Sequence, residues 1–276
     1  MDKLIRIGSF ISSLGLFCFV AAFIAFPAMA WQKLRQALGL RDARQTRRTI
    51  TALQVNWSAW LFQRIRKLLR IELEHELYGL RKHDGPFILV SNHTGMFDVL
   101  TVLWIIAEYG RPDLRWVVKK DMARAPVIGQ MAKWSGTAFV RRNGDPSDKD
   151  AVTACADLAE EDDSSILIFP EGTRHPYHLG PPKHGGFKRM REALPDYPIL
   201  AVTIAWHPVS KDAGGRTLFD GADLFGKRLF LAARIVPTYE AGAEGWLEAE
   251  WKRKNREIDA WRKRVFFKEL MRHTPD

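Results

Sequence analysis

At 276 residues, 46% hydrophobic and 27% charged, without internal repeat or low-complexity tract, the chain can bury one full core and is too apolar for a disordered tail. A formal net charge of +10 asks for a negative partner, either nucleic acid or an anionic lipid surface. Two cysteines, Cys18 and Cys155, far apart in the chain, argue against a disulfide framework and a cysteine zinc site.

The first predicted element decides between those partners. Ile7 to Trp31 contains no charged residue, and at about 1.5 Å per helical residue it is long enough to cross a hydrocarbon core of about 30 Å. Lys3 and Arg6 precede it, whereas Lys33, Arg35, Arg41, Arg44, Arg47 and Arg48 follow it. The positive-inside tendency therefore keeps the rest of the chain on the cytoplasmic side of a membrane. Two other readings stay open at this point. Ala28-Met29-Ala30 resembles a signal-peptide cleavage site, although the basic residues just after it oppose export. Alternatively the segment dips into one leaflet and returns. Ile50, Leu53, Trp57, Trp60, Leu61, Ile65 and Leu68 recur at helical spacing beside Arg64, Arg66, Lys67 and Arg70, a basic amphipathic helix that lies on a membrane or packs on its own domain. Nucleic acid is not an expected partner, since no RNP, zinc-finger or helix-turn-helix signature accompanies the charge.

Seven strands follow, near 71–78, 87–91, 115–119, 137–140, 165–169, 199–206 and 230–236, separated by helical stretches. Ile71 to Leu77 alternates, as in a strand exposed on one face. The pattern predicts an α/β fold, a mixed, largely parallel sheet flanked by helices behind an N-terminal membrane-anchoring helical segment. Residues 1–70 read as anchor and amphipathic helix, 71–240 as the catalytic domain and 241–276 as a C-terminal basic amphipathic helix. That last helix, with Trp246 and Trp261 among lysines and arginines, suits either a headgroup layer or a cover over the domain.

Two short strings carry the chemistry. Asn92-His93-Thr94-Gly95-Met96-Phe97-Asp98 follows the buried strand Phe87 to Val90, which puts His93 just past a strand's C-terminal end, where open α/β sheets form ligand crevices. Imidazole, with an unperturbed pKa of about 6.5, suits removal of a hydroxyl proton during attack on a carbonyl. Asp98, five residues on across a turn into a helix, is spaced to accept from Nδ1–H and steady the imidazolium. No Gly-x-Ser-x-Gly or reactive cysteine is nearby, so the attacking oxygen belongs to the substrate. The second string, Phe169-Pro170-Glu171-Gly172-Thr173-Arg174, ends another apolar strand. Gly172 allows close backbone approach, Thr173 offers donors, and Arg174 supplies a planar fork matched to phosphate oxygens. Glu171, repelled by an anion, is assigned to holding Arg174 or a ligand hydroxyl. Taken singly, the first string describes a helix-capping histidine as well as a base, and the second describes an ordinary surface turn.

Together, His-x4-Asp followed by Phe-Pro-Glu-Gly-Thr-Arg resembles the glycerolipid acyltransferases, of the 1-acylglycerol-3-phosphate (lysophosphatidate) acyltransferase type, over roughly residues 70–240. Val118 to Met122 with Ala125 to Gly129, and Gly136 to Arg142, are similar to two further blocks of that family, and Tyr197 to Val202 is a loose version of the last. The resemblance implies acyl transfer from acyl-CoA or acyl-ACP to a lysophospholipid hydroxyl at a membrane, without a cofactor or metal. His93 and Asp98 would be catalytic. Gly172, Thr173, Arg174, Glu171 and Arg142 would bind the acceptor, and Lys119 would add to the positive field. Arg141 departs from the family's usual acidic or amide residue, and His175-Pro176 stands where a serine is common; both put the acceptor in doubt. Another acceptor (glycerol-3-phosphate, a different lysophospholipid or a lyso-aminolipid), a non-catalytic lipid-binding protein, and a metal site at His175 and His178 are the competing expectations.

Overall fold

The computed structural model describes residues 2–78, 84–95, 97–108, 111–141, 145–175, 178–208 and 224–273. The chain opens as a long apolar rod, α1 (Asp2–Phe19), a π-helical turn (Val20–Ala25) and α2 (Phe26–Ala37). Asp42 then caps α3 (Ala43–Leu68), its carboxylate accepting from Gln45 N at 2.8 Å. Helix α3 runs back along the rod: Phe17 meets Trp57, and Met29 meets Ile50. Ala25, Met29 and Ile50 form a buried cluster with Met131, and Phe26 stacks on Trp134 at 5.2 Å. One side of the rod is thus packed on the domain. The other leaves Ile11, Leu14, Phe19, Phe23, Ile24 and Trp31 exposed.

The sheet has seven strands: β1 (Glu72–Tyr78), β2 (Ile88–Ser91), β3 (Leu114–Lys119), β4 (Ala138–Val140), β5 (Ser165–Ile168), β6 (Ile199–His207) and β7 (Arg228–Val236). Their order is β1-β7-β6-β2-β5-β3-β4. Five run parallel, and β7 lies antiparallel to β6 with β1 parallel to β7. The predicted mixed, largely parallel sheet is therefore present, each strand within two residues of its expected bounds.

Alternation assigns each strand residue to a layer. Leu89, Leu167, Leu200 and Val202 pack beneath α3 and α4 (Phe97–Glu108). Ile88, Val90, Ile166 and Ile168 pack against α6 (Pro146–Glu161), α7 (His184–Ala193) and the helix that ends the fold. Between β3 and β4 comes α5 (Ile128–Trp134), and after β7 come the short α8 (Thr238–Ala241) and α9 (Trp246–His273). The Pro-x-x-Gly segment before α5 has a steric reason: a Cβ on Gly129 would lie 2.6 Å from the Ala123 carbonyl oxygen.

Helix α9 settles one open expectation. Trp246, Trp251 and Trp261 are buried, with Leu247, Ile258 and Val265, against the sheet and α7, and Trp261 Nε1 donates to Glu74 at 3.1 Å. Its tryptophans line the domain core, not a headgroup layer. The basic amphipathic stripe of α3 behaves similarly: Ile50, Leu61 and Ile65 are buried, while Trp60 and Leu68 remain exposed.

Candidate active site

The parallel strands all end on one edge of the sheet, and the two chemical strings are the loops that leave β2 and β5. These strands are hydrogen-bonded neighbours, so their loops emerge about 5 Å apart. The loops bond directly. His175 N donates to the His93 carbonyl at 2.7 Å, and His93 N donates to Glu171 Oε1 at 3.3 Å. Phe169 stacks on the His93 imidazole with ring centroids 4.3 Å apart.

Asp98, at the start of α4 and fully buried, is the hub of the first loop. It accepts from His93 Nδ1 at 2.9 Å, from Gly95 N at 2.7 Å, from Thr94 Oγ1 at 2.7 Å and from Thr94 N. A carboxylate can only accept, so Nδ1 carries the hydrogen and Nε2 keeps its lone pair. The loop is held from below as well. The Asn92 amide makes two 2.8 Å bonds to the backbone of Ile204, and Trp206 Nε1 donates to Thr94 Oγ1 at 3.0 Å. Both partners lie on β6, so β2 and β6 clamp the histidine between them.

Glu171, expected to hold Arg174 or a ligand hydroxyl, is fixed by backbone N–H groups. Its carboxyl is 1% exposed and turned inward, with His93 N at 3.3 Å and Gly180 N at 3.4 Å, and His175 Nε2 at 4.0 Å. Burial pushes its pKa up to about 8, because the two backbone donors only partly offset the loss of water. Gly172 takes φ of +68°, which a side-chain-bearing residue rarely adopts. Thr173 is exposed and Arg174 is half-buried at the lip of the crevice. Lys119, at the end of β3, is paired with Asp121 at 2.5 Å and stands two strands from β2, so its field is that of an exposed ion pair instead of a free cation. Arg142 lies outside the described residues. Among the described residues no group of three or more His, Cys, Asp and Glu side chains has metal-ligand geometry; His175 and His178 rings are 6.0 Å apart.

Three residues not singled out from the sequence complete the site. Lys254 of α9 is fully buried, its ammonium donating to the carbonyls of Val90 at 3.5 Å and of Val202, with Glu250 at 3.8 Å. Trp251 Nε1 donates to the Gly180 carbonyl at 2.9 Å, so α9 holds both loops from the far layer. Lys183 lies across the Gly172 turn: a Cβ added at Gly172 would meet its Nζ at 3.2 Å. For Asn92 a signal existed, its place next to His93. A lone lysine amid a basic helix offers none.

A family model described as Acyltransferase matches residues 70–205. Chloroplastic 1-acyl-sn-glycerol-3-phosphate acyltransferase BAT2 of Brassica napus is 31% identical over 129 residues, covering 46% of this chain and 35% of that protein. The 1-acyl-sn-glycerol-3-phosphate acyltransferase of Haemophilus influenzae is 28% identical over 141 residues, 50% of this chain and 57% of that one. Lyso-ornithine lipid O-acyltransferase of Rhodobacter capsulatus is 36% identical over 92 residues, 33% of this chain and 30% of that one. The chain thus spans between about a third and just over half of the length of these relatives. In fold it is similar along its whole length to the crystal structure of the 1-acyl-sn-glycerophosphate acyltransferase PlsC from Thermotoga maritima, with a TM-score of 0.62, 16% identity and full coverage of both chains. Residues 70–205, carrying both strings in order, thus match the Acyltransferase family model on a fold shared with that structure.

Proposed function

We propose that the protein is a membrane-associated O-acyltransferase that moves a fatty acyl group from acyl-CoA or acyl-ACP to the free hydroxyl of 1-acylglycerol-3-phosphate, giving phosphatidate. The observation that carries this reading is the joining of the two loops: His93, its imidazole oriented by a buried carboxylate, is bonded through its backbone to the turn that offers Gly172, Thr173 and Arg174. His93 Nε2 takes the proton of the acceptor hydroxyl as its oxygen attacks the thioester carbonyl. Asp98 stabilises the imidazolium that forms. The tetrahedral intermediate then collapses, the carbon–sulfur bond breaks, and the leaving thiolate takes the proton back from His93. No acyl-enzyme is required. Arg174 and Arg142, with the Gly172 and Thr173 N–H groups, hold the acceptor phosphate.

Membrane association rests on the rod. Ile11–Ala37 has a mean hydropathy of 2.1 in its most apolar window, enough to enter a bilayer by length and composition. Because Met29, the middle of the alternative cleavage site, is fully buried against Ile50 and Met131, cleavage there would tear open a packed cluster. Lateral packing on α3 favours an arrangement in which only the exposed flank of the rod meets lipid, with the domain on the cytoplasmic side. A second acceptor reading, an amino-acid-bearing lysolipid, is favoured by the Rhodobacter relative.

The test is thiol release from acyl-CoA with a panel of lysolipids. Release with lysophosphatidate well above that with lyso-ornithine lipid and glycerol-3-phosphate supports the reading. Release that ignores the acceptor, or none with any lysolipid, removes it.

A further inference from the structure

A cavity of about 320 Å³ lies over the C-terminal ends of β3, β4 and β5, between the first turns of α6 and α7. Its floor is Val117, Val140, Val152 and Ile168. Phe169 also lines it, and the same ring stacks on the His93 imidazole, so a single aromatic side chain separates the cavity from the candidate base. The volume and the apolar floor are those of a small-molecule site rather than of a packing defect.

The opening is cationic. Lys149, Lys183 and Arg189 line it and are exposed, and none of the three has a carboxylate partner among the described residues. Asp145 and Asp148 line it too, but Arg141 occupies both, pairing its guanidinium with Asp145 and donating its backbone N–H to Asp148 at 2.7 Å. Hydrogen bonds from Ser147, then Arg141, hold Asp145 down to about 2, so it stays charged and committed. Three cations thus face two carboxylates already in use.

Lys183 links this opening to the catalytic loops. Its backbone N donates to the Pro170 carbonyl at 2.9 Å, and its ammonium lies over Gly172, where an added Cβ would meet Nζ at 3.2 Å. The imidazole of His175, a residue whose backbone N–H bonds the His93 carbonyl, is held below its ordinary value by burial and then by the charges of His178, His93 and Lys183. The lysine and the candidate base therefore share one electrostatic field.

Resting on the acyltransfer reading above, we propose that this cavity, which Gly172 also lines, is a substrate compartment for a phosphate-bearing amphiphile, with hydrocarbon on the valine and isoleucine floor and phosphate on Lys183 and Arg189. The phosphate comes either from the lysolipid acceptor or from the carrier of the acyl thioester. Both are anionic amphiphiles whose reacting atom, the acceptor's hydroxyl oxygen or the donor's thioester carbon, must come to His93, and the Phe169 wall is where they would arrive. An uncharged amphiphile gains only the floor.

Two measurements on the full chain in a neutral maltoside detergent test this. In the first, hexyl phosphate is compared with hexyl glucoside by the shift each gives to the unfolding midpoint, in the native protein and in Lys183→Met with Arg189→Leu. Hexyl phosphate is expected to raise the midpoint of the native protein, with affinity about 10-fold or more weaker in the double variant, the loss that follows from removing charge-assisted hydrogen bonds. An equal shift from hexyl glucoside, or an undiminished hexyl phosphate shift in the double variant, overturns the proposal. In the second, KM is measured for each substrate. A rise for lysophosphatidate assigns the phosphate to the acceptor, and a rise for acyl-CoA assigns it to the donor. No rise in either overturns the proposal. The first arm needs no turnover, so a chain that bound hexyl phosphate through Lys183 and released no thiol would sink the acyltransfer reading and leave the cavity assignment standing.

Discussion

At the start of the parallel strands, Arg115 of β3 is fully buried and reaches Asp162 and Ser164, while Arg47 of α3 grips both oxygens of the same Asp162 at 2.8 Å. At their opposite end, Asp98 gathers four donors for one imidazole, and Glu171 sits buried on two long backbone contacts. The first network matches guanidinium to carboxylate and ties α3 to the sheet. The second leaves a carboxyl poorly solvated and an imidazole with an uncommitted nitrogen. Opposite charges are paired where the fold must be held, and a carboxyl is left with only weak backbone donors where a ligand has to be met.

The two networks also carry opposite pH signs. Burial raises Asp162, but the Arg47 hydrogen bonds and the Arg115 charge outweigh it and hold the group below its ordinary value. A depressed carboxyl contributes stability that is present above its unfolded pKa and is lost as pH falls. Glu171 is raised from 4.5 to about 8, so its contribution is full below about 4.5 and is lost as pH rises toward 8.

The largest way to break the contrast is at Asp98. Asp98→Asn keeps the shape but removes the charge that steadies the imidazolium, and should lower kcat by about 10³ to 10⁴ with little change in unfolding midpoint. Asp162→Ala should do the reverse. It strands Arg115 in the core and should cost about 3–5 kcal/mol in denaturant unfolding, while the folded fraction keeps its turnover. Glu171→Gln sharpens the pH contrast. Native stability should fall by on the order of 1–3 kcal/mol between pH 5 and pH 8, and that slope should vanish in the variant, read from urea curves at both pH values. Least affected should be Lys119→Ala, since an exposed pair with Asp121 contributes at most about 1 kcal/mol; KM for the acceptor should stay within about threefold. A larger rise would restore Lys119 to the anion site.

What was legible in the chain follows from the same contrast. Strands such as Phe87 to Val90 and Ser165 to Phe169 announce themselves because apolar runs bounded by proline and glycine have few other uses. His93 with Asp98 was legible because the pairing is local, five residues across one turn. The inward orientation of Glu171 was not, because its donors, His93 N and Gly180 N, come from the backbone of separate loops. Helix α9 was ambiguous for a physical reason: its tryptophans stand among lysines and arginines that reach solvent along their stems, so composition alone suits lipid and core equally. Lys254 and Arg115, both fully buried, were invisible because burial of a cation depends on carbonyls and carboxylates brought in from elsewhere.

The central claim is that His93 takes the acceptor's proton during acyl transfer. Thiol release from acyl-CoA in the presence of lysophosphatidate, compared between the native chain and His93→Ala, tests it most directly. The expected result is a fall in kcat of three orders of magnitude or more, with an unchanged unfolding midpoint and unchanged acceptor binding. Turnover in His93→Ala within a few-fold of native would contradict it.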